Sequence, residues 1–231
     1  MLHQLFDLLG WSGGLLLGWW VQRRWLAALP TPRVRQHPLY FAAAIIGAAI
    51  GAVGLGTLNM VVSGQPGFGR SVLGALLGAI VGVELYKLCR GISGTTGLVF
   101  VAPLAMGIAI GRVGCLLSGL DDFTYGTPTD LPWGVDFGDG LNRHPVQAYE
   151  SLAMLAWLLV FLAALRHGCP LILRHGFPLF VGWYALQRFL WEFLKPYQPI
   201  LGPLNLFHLA CLTLLLYSGV TIWRRSRANA R

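Results

Sequence analysis

The chain has 231 residues, of which 55% are hydrophobic and 11% charged, where an ordinary soluble domain carries about 25% charged residues. So little charge cannot clothe a water-facing surface. This excludes a soluble globular, disordered or disulfide-scaffold protein and predicts an integral membrane one. The net charge of +8 is then a matter of membrane topology, and no nucleic-acid partner is expected.

A membrane-crossing helix needs about 20 mostly apolar residues. Seven stretches qualify in chain order: Leu5–Val21, Pro38–Val62, Ser71–Leu88, Gly97–Ser118, Val146–Leu165, Phe177–Leu194 and Asn205–Trp223. The expected fold is all-α, with seven transmembrane helices forming one membrane domain over residues 1–231. Asp7 and the lack of a basic leader argue against a cleavable signal peptide. Gly47 and Gly51, and Gly74, Gly78 and Gly82, recur every four residues. Each set lines one helix face and permits close packing in lipid.

Charge orients these spans. With the N-terminus outside, the inner loops and tail hold Arg23, Arg24, Arg33, Arg35, Lys87, Arg90, Arg166, Arg174, Arg224, Arg225, Arg227 and Arg231. The acids Asp7, Asp121, Asp122, Asp130, Asp136, Asp139, Glu150 and Glu192 fall toward the other side. Basic loops stay in the cytoplasm, so the N-terminus is expected outside and the C-terminus inside. The longest polar segment, residues 119–145, is then extracytoplasmic. It is rich in Pro, Gly and Asp and is expected to be irregular and functional.

Arg112, Arg143 and Arg188 escape this accounting, as do Arg70 and Lys195. A cation inside an apolar span costs several kcal/mol and needs a polar cavity and partners. Glu192 follows Arg188 by four residues and Glu150 follows Arg143 by seven, so both pairs share helix faces. They are read either as structural ion pairs or as the lining of a cavity with positive charge to spare. Arginine forks suit phosphate, and the commonest anion at a bilayer is a phospholipid head group. His144 stands at a helix mouth beside Gln147, Tyr149 and Glu150, where it either serves as a general acid or base or caps the helix. His208 is read as a polar packing residue or cavity lining, and His37, His167 and His175 as solvated in inner loops. Cys89, Cys115, Cys169 and Cys211 are dispersed, with no CxxC spacing. They are read as small apolar residues, and no metal cluster or disulfide framework is expected.

Four segments carry a family resemblance. Gly111-Arg112-Val113-Gly114, Leu131-Pro132-Trp133-Gly134-Val135, Arg143-His144-Pro145-Val146-Gln147-Ala148-Tyr149-Glu150 and Tyr184-Ala185-Leu186-Gln187-Arg188-Phe189-Leu190-Trp191-Glu192-Phe193-Leu194-Lys195 occur in that order. They resemble the GRxGNFxN, LPWGV, RHPxQLYE and YxxxRFxxEFxR segments of bacterial prolipoprotein diacylglyceryl transferases, with Lys195 in place of an Arg. The resemblance implies a multi-pass enzyme of the bacterial inner membrane, active toward the outer leaflet. It would transfer the diacylglyceryl group of phosphatidylglycerol to the lipobox cysteine of a prolipoprotein signal peptide, releasing glycerol phosphate, with no cofactor or metal.

The resemblance also implies roles. Arg112 and Arg188 hold the lipid phosphate, Tyr184 and Glu192 line the cavity, and Arg143, Gln147, Tyr149 and Glu150 sit near its entrance. The base that takes the thiol proton stays open among His144, Glu150, Glu192 and the Asp121–Asp122 pair. Several positions depart from the family. Cys115 and Ser118 replace its two Asn residues, and Leu120 stands where it has an acid, with Asp121 and Asp122 as shifted substitutes. Leu73-Gly74-Ala75-Leu76 replaces His-Gly-Gly-Leu, and Trp11-Ser12-Gly13 replaces Trp-Tyr-Gly. The alternative is a divergent paralogue that serves another acceptor, or a non-catalytic lipid-binding or transport-like protein using the same cavity.

Overall fold

In the computed structural model of the chain, residues 2–27, 29 and 37–228 are described. Arg33, Arg35 and Arg231, assigned above to the inner side, lie outside them. Among the described residues there are seven α-helices: α1 (Leu2–Val21), α2 (Pro38–Val62), α3 (Val72–Cys89), α4 (Val101–Ser118), α5 (Val146–Arg166), α6 (Pro170–Glu192) and α7 (Leu206–Ala228). Among the described residues, five helical segments, all but α1 and α6, are long and apolar enough to cross a membrane. The protein is an all-helical, multi-pass membrane protein.

Its surface is that of a chain dissolved in lipid. Leu8, Leu15 and Leu16 of α1, and Ile45, Ile46 and Ile50 of α2, are each more than half exposed. A water-soluble protein does not leave such contiguous apolar faces open. The polar groups lie inside instead, with Arg112, Gln147, Glu150, Arg188, Glu192 and Lys195 all buried.

The helices fall into two compact units. The first comprises Met1–Ala28 and Gly97–Pro196. In it α4 packs against α1 on one side and α5 on the other, and α5 packs against α6. Small residues set the α1–α4 approach: a Cβ on Gly14 would lie 2.7 Å from the Pro103 carbonyl oxygen, and one on Gly10 3.0 Å from that of Gly107. The second unit comprises Leu29–Thr96 and Tyr197–Arg231. Here α2 and α3 pack along the glycine faces legible in the sequence. A Cβ on Gly47 would strike the Gly78 carbonyl oxygen, and one on Gly51 that of Gly74. Ser71 caps α3 by accepting the Gly74 amide at 3.1 Å.

Segment 119–145 is more ordered than its composition predicts. A 3-10 turn, Gly119–Asp122, ends at Phe123 in the left-handed region (φ 48°). Strands β1 (Val135–Asp136) and β2 (Asn142–Arg143) then pair antiparallel. Asp136 accepts the Gly138 and Gly140 amides, at 2.8 and 3.1 Å, which closes the hairpin locally. A second hairpin, β3 (Pro199–Leu201) with β4 (Leu204–Asn205), precedes α7.

Helix α6 begins seven residues earlier than expected, at Pro170. Arg174 and His175 gave that stretch the look of a loop, yet His175 is buried within the helix and not solvated. Proline at the first helical position favours this start, because its missing N–H has no partner to lose there. His208 is a packing residue, as expected. Its Nδ1 accepts the Asn205 amide, and its own amide donates to Asn205 Oδ1, both at 3.1 Å.

Candidate active site

The first unit gathers its buried charges at one place. Arg112 lies six residues from the end of α4, Glu150 in the first turns of α5, and Arg188 and Glu192 in the last turns of α6. Lys195 follows just after α6. Arg112 Nε lies 2.6 Å from Glu150 Oε2 in an ion pair, and Lys195 Nζ donates to Glu150 Oε1 at 2.9 Å. Arg188 Nη1 also donates to Glu150 Oε1, while its Nη2 meets Glu192 Oε2 at 3.1 Å. All five side chains are at least nine-tenths buried.

Three cations therefore converge on two carboxylates. Stripping this many ions of water costs several kcal/mol each unless they are paired, and Glu150 does most of that pairing by itself. The cluster keeps one positive charge in excess. That suits it to an anion, and two guanidinium forks favour one with several oxygens.

The sequence placed Arg112, Arg188, Glu150 and Glu192 in or near a site, and the structure brings all four together. The Arg188–Glu192 pair forms as its spacing predicts. The Arg143–Glu150 pair does not. Arg143 lies in β2, ahead of the helix, so helical periodicity does not apply to it. It binds Asp139 instead, Nη2 to Oδ2 at 2.6 Å, and stands 5.0 Å from the Tyr125 ring centroid. The hydrogen bond from Arg143 holds the Asp139 carboxyl below the usual carboxylate range.

The other predicted residues spread around this centre. The His144 ring lies 6.3 Å from that of Tyr149, its amide bonds the Thr127 carbonyl, and its buried Nδ1 has no hydrogen-bond partner. Tyr149 packs on Trp191 at 5.2 Å and accepts the Trp133 indole N–H at 2.8 Å. Gln147 is wholly buried one turn before Glu150, and neither atom of its amide is hydrogen-bonded. Tyr184 is buried on α6, one turn before Arg188. Asp121 lines a surface recess between Leu116–Asp121 and Val135–Phe137. Asp122 turns toward His3 and accepts the Thr124 hydroxyl at 2.6 Å.

Two features escaped the sequence reading. Lys195 stands in the sequence as an unassigned cation outside the site, because it follows the sixth apolar span directly and looks like a flank. The second is a group of possible metal donors, His3, Cys115 and Asp122, whose ligand atoms lie within 4.8 Å of one another. Cys115 was read as apolar filling. No spacing rule joins residues 112 positions apart, so only the packing of α1 on α4 reveals the group.

Comparison with known proteins gives a consistent result. A family described as prolipoprotein diacylglyceryl transferase matches residues 9–224. The phosphatidylglycerol–prolipoprotein diacylglyceryl transferase of Nitratidesulfovibrio vulgaris is 32% identical, over 91% of this chain and 84% of its own. Proteins of the same name from Methylocella silvestris and Mesorhizobium japonicum are 33% and 31% identical, each over 84% of this chain and over 78% and 74% of their own. No solved structure matches.

Proposed function

The chain belongs to the prolipoprotein diacylglyceryl transferase family, and on that premise we propose that it transfers the diacylglyceryl group of phosphatidylglycerol to the lipobox cysteine of a prolipoprotein. In this reading it forms one seven-span domain in the bacterial inner membrane, N-terminus out and C-terminus in, with the site open to the outer leaflet. The activity for which its relatives are named supports the donor and acceptor. The observation that carries the reading is the buried cluster in which Arg112, Arg188 and Lys195 face Glu150 and Glu192.

The reaction makes one bond and breaks one. The acceptor sulfur, as thiolate, attacks the glyceryl carbon that bears the phosphate. A C–S bond forms, the C–O bond breaks, and the phosphate oxygen leaves with the electron pair as glycerol phosphate. Arg112 and Arg188 clamp the phosphate and stabilise the charge that grows on it, an electrostatic contribution often worth several kcal/mol of barrier. Glu150 holds the two forks in register. Gln147, with a buried and unbonded amide, pairs with the head-group hydroxyls, and Tyr184 and Glu192 line the same cavity. His144 takes the thiol proton, while Arg143, Tyr149, Asp121 and Asp122 border the acceptor's approach.

Expression in a bacterium depleted of its own transferase, with mass spectrometry of a lipobox peptide incubated with phosphatidylglycerol, tests the reading. A peptide heavier by one diacylglyceryl group and restored growth are the expected results. Failure of both, with normal membrane expression, rejects it.

A further inference from the structure

On the N-terminal side of the charge cluster, α1 brings His3 against the end of α4. His3 Nε2 lies 3.6 Å from Cys115 Sγ and 3.3 Å from Asp122 Oδ1. Its other ring nitrogen, Nδ1, faces Asp7 Oδ2 at 3.0 Å. Asp122 Oδ2 accepts the Thr124 hydroxyl, and Arg112 Nη1 donates to Cys115 Sγ at 3.7 Å.

These separations are those of a polar contact network, and they also match the ligand–ligand edges of a coordination shell. Zinc binds His nitrogen and carboxylate oxygen at about 2.0–2.1 Å and thiolate at about 2.3 Å, in a tetrahedron. Such a tetrahedron separates N from O by about 3.3 Å and N from S by about 3.6 Å, because its edge is about 1.6 times the bond length. The surroundings fit as well. A histidine that ligates through one nitrogen gives its other N–H to a carboxylate, and ligating carboxylates are themselves hydrogen-bonded. Asp7 and Thr124 stand in those two places. A thiolate among the donors selects zinc-class ions over magnesium or calcium. Thiolate and carboxylate together balance a divalent charge.

We propose that His3, Cys115 and Asp122 form a three-ligand site for zinc or a similar divalent ion, whose open fourth position receives the acceptor thiol. The thiol's role rests on the transferase reading above; the metal site does not. Cys115 is buried, whereas the His3 and Asp122 side chains keep 36% and 18% of their surface exposed, so a ligand from outside can reach the fourth position. On coordination the acceptor S–H gives up its proton to the base, and the sulfur is held as thiolate. Arg112 touches both Cys115 and Glu150. The thiolate is thereby held beside the arginine that carries the phosphate in that reading, close to the carbon it attacks.

The test uses the full chain in detergent micelles, without a polyhistidine tag, stripped by a chelator and titrated with cobalt(II) or zinc(II). One cobalt per chain is expected, with a near-ultraviolet thiolate-to-metal band that Cys115→Ser abolishes. His3→Ala and Asp122→Ala should each weaken binding at least tenfold, and Asp7→Asn about 10–100-fold, the usual effect of losing a carboxylate behind a ligating histidine. Adding a lipobox-type cysteine peptide should strengthen the band; a serine version should not.

No band above that of Cys115→Ser overturns the site. A band indifferent to the cysteine peptide overturns the thiol's role. Full transfer by metal-stripped protein also overturns that role and leaves the transferase reading standing. A peptide-responsive band in protein that transfers nothing supports the metal site and rejects the transferase reading instead.

Discussion

Arg112 and Glu150 meet at 2.6 Å across the α4–α5 interface, with both side chains more than nine-tenths buried. Glu150 also carries Arg188 and Lys195, so one carboxylate holds the cation side of the site together. Glu150→Gln should therefore destabilise the protein by about 3–5 kcal/mol, the usual cost of leaving buried charge uncompensated. Thermal unfolding in detergent measures this. A melting temperature equal to the parent's would show that the three cations do not depend on Glu150.

The two arginines act through shape as well as charge. Arg112→Lys and Arg188→Lys keep the cation but lose the planar fork. Each is expected to cut transfer by about 10–100-fold, equivalent to about 1.4–2.7 kcal/mol of barrier. Each should weaken phosphatidylglycerol binding while the protein stays folded. Unchanged turnover by either variant removes that residue from the phosphate clamp.

His144 has a different signature. If its ring takes the thiol proton, His144→Gln should cut transfer about 100-fold while phosphatidylglycerol binding stays at the parent's level. Unchanged turnover by this variant assigns the proton to another group.

The hairpin before α5 responds to acid for its own reason. Arg143 holds the Asp139 carboxyl below its ordinary range. The pair's contribution is therefore present above the unfolded carboxylate's pKa and lost as pH falls through the lower, folded one. Protection from hydrogen exchange across residues 135–143, taken relative to the intrinsic rate at each pH, should fall in acid. Asp139→Asn should show the reduced protection already at neutral pH, with little change in global melting, because surface pairs contribute little.

Close helix packing gives a further contrast. Gly78→Ala places a methyl group on the Gly47 carbonyl oxygen and forces α2 and α3 apart. The expected cost is about 1–3 kcal/mol, typical of overpacking. Gly54→Ala meets nothing within 4 Å on the same helix pair, and should match or exceed the parent in stability. Equal melting of the two variants would refute the glycine contact.

Hydropathy and charge are local properties, and what depends on them was legible in the sequence: membrane residence, the rough position of every helix, the α2–α3 glycine faces and the arginines with no topological role. The one helix start badly misplaced, that of α6, failed because Arg174 and His175 mark a loop only where nothing packs over them. Partner choice is not local. Spacing paired Arg143 with Glu150, but a two-residue strand carries Arg143 to Asp139 and leaves Glu150 to side chains from α4, from α6 and from the turn beyond it. Lys195 enters the site, and His3 reaches Cys115 and Asp122, for the same reason. Contacts between residues far apart in the chain are set by which helix faces pack together, and for α1 on α4 that is decided by small residues such as Gly10 and Gly14, which let the backbones approach.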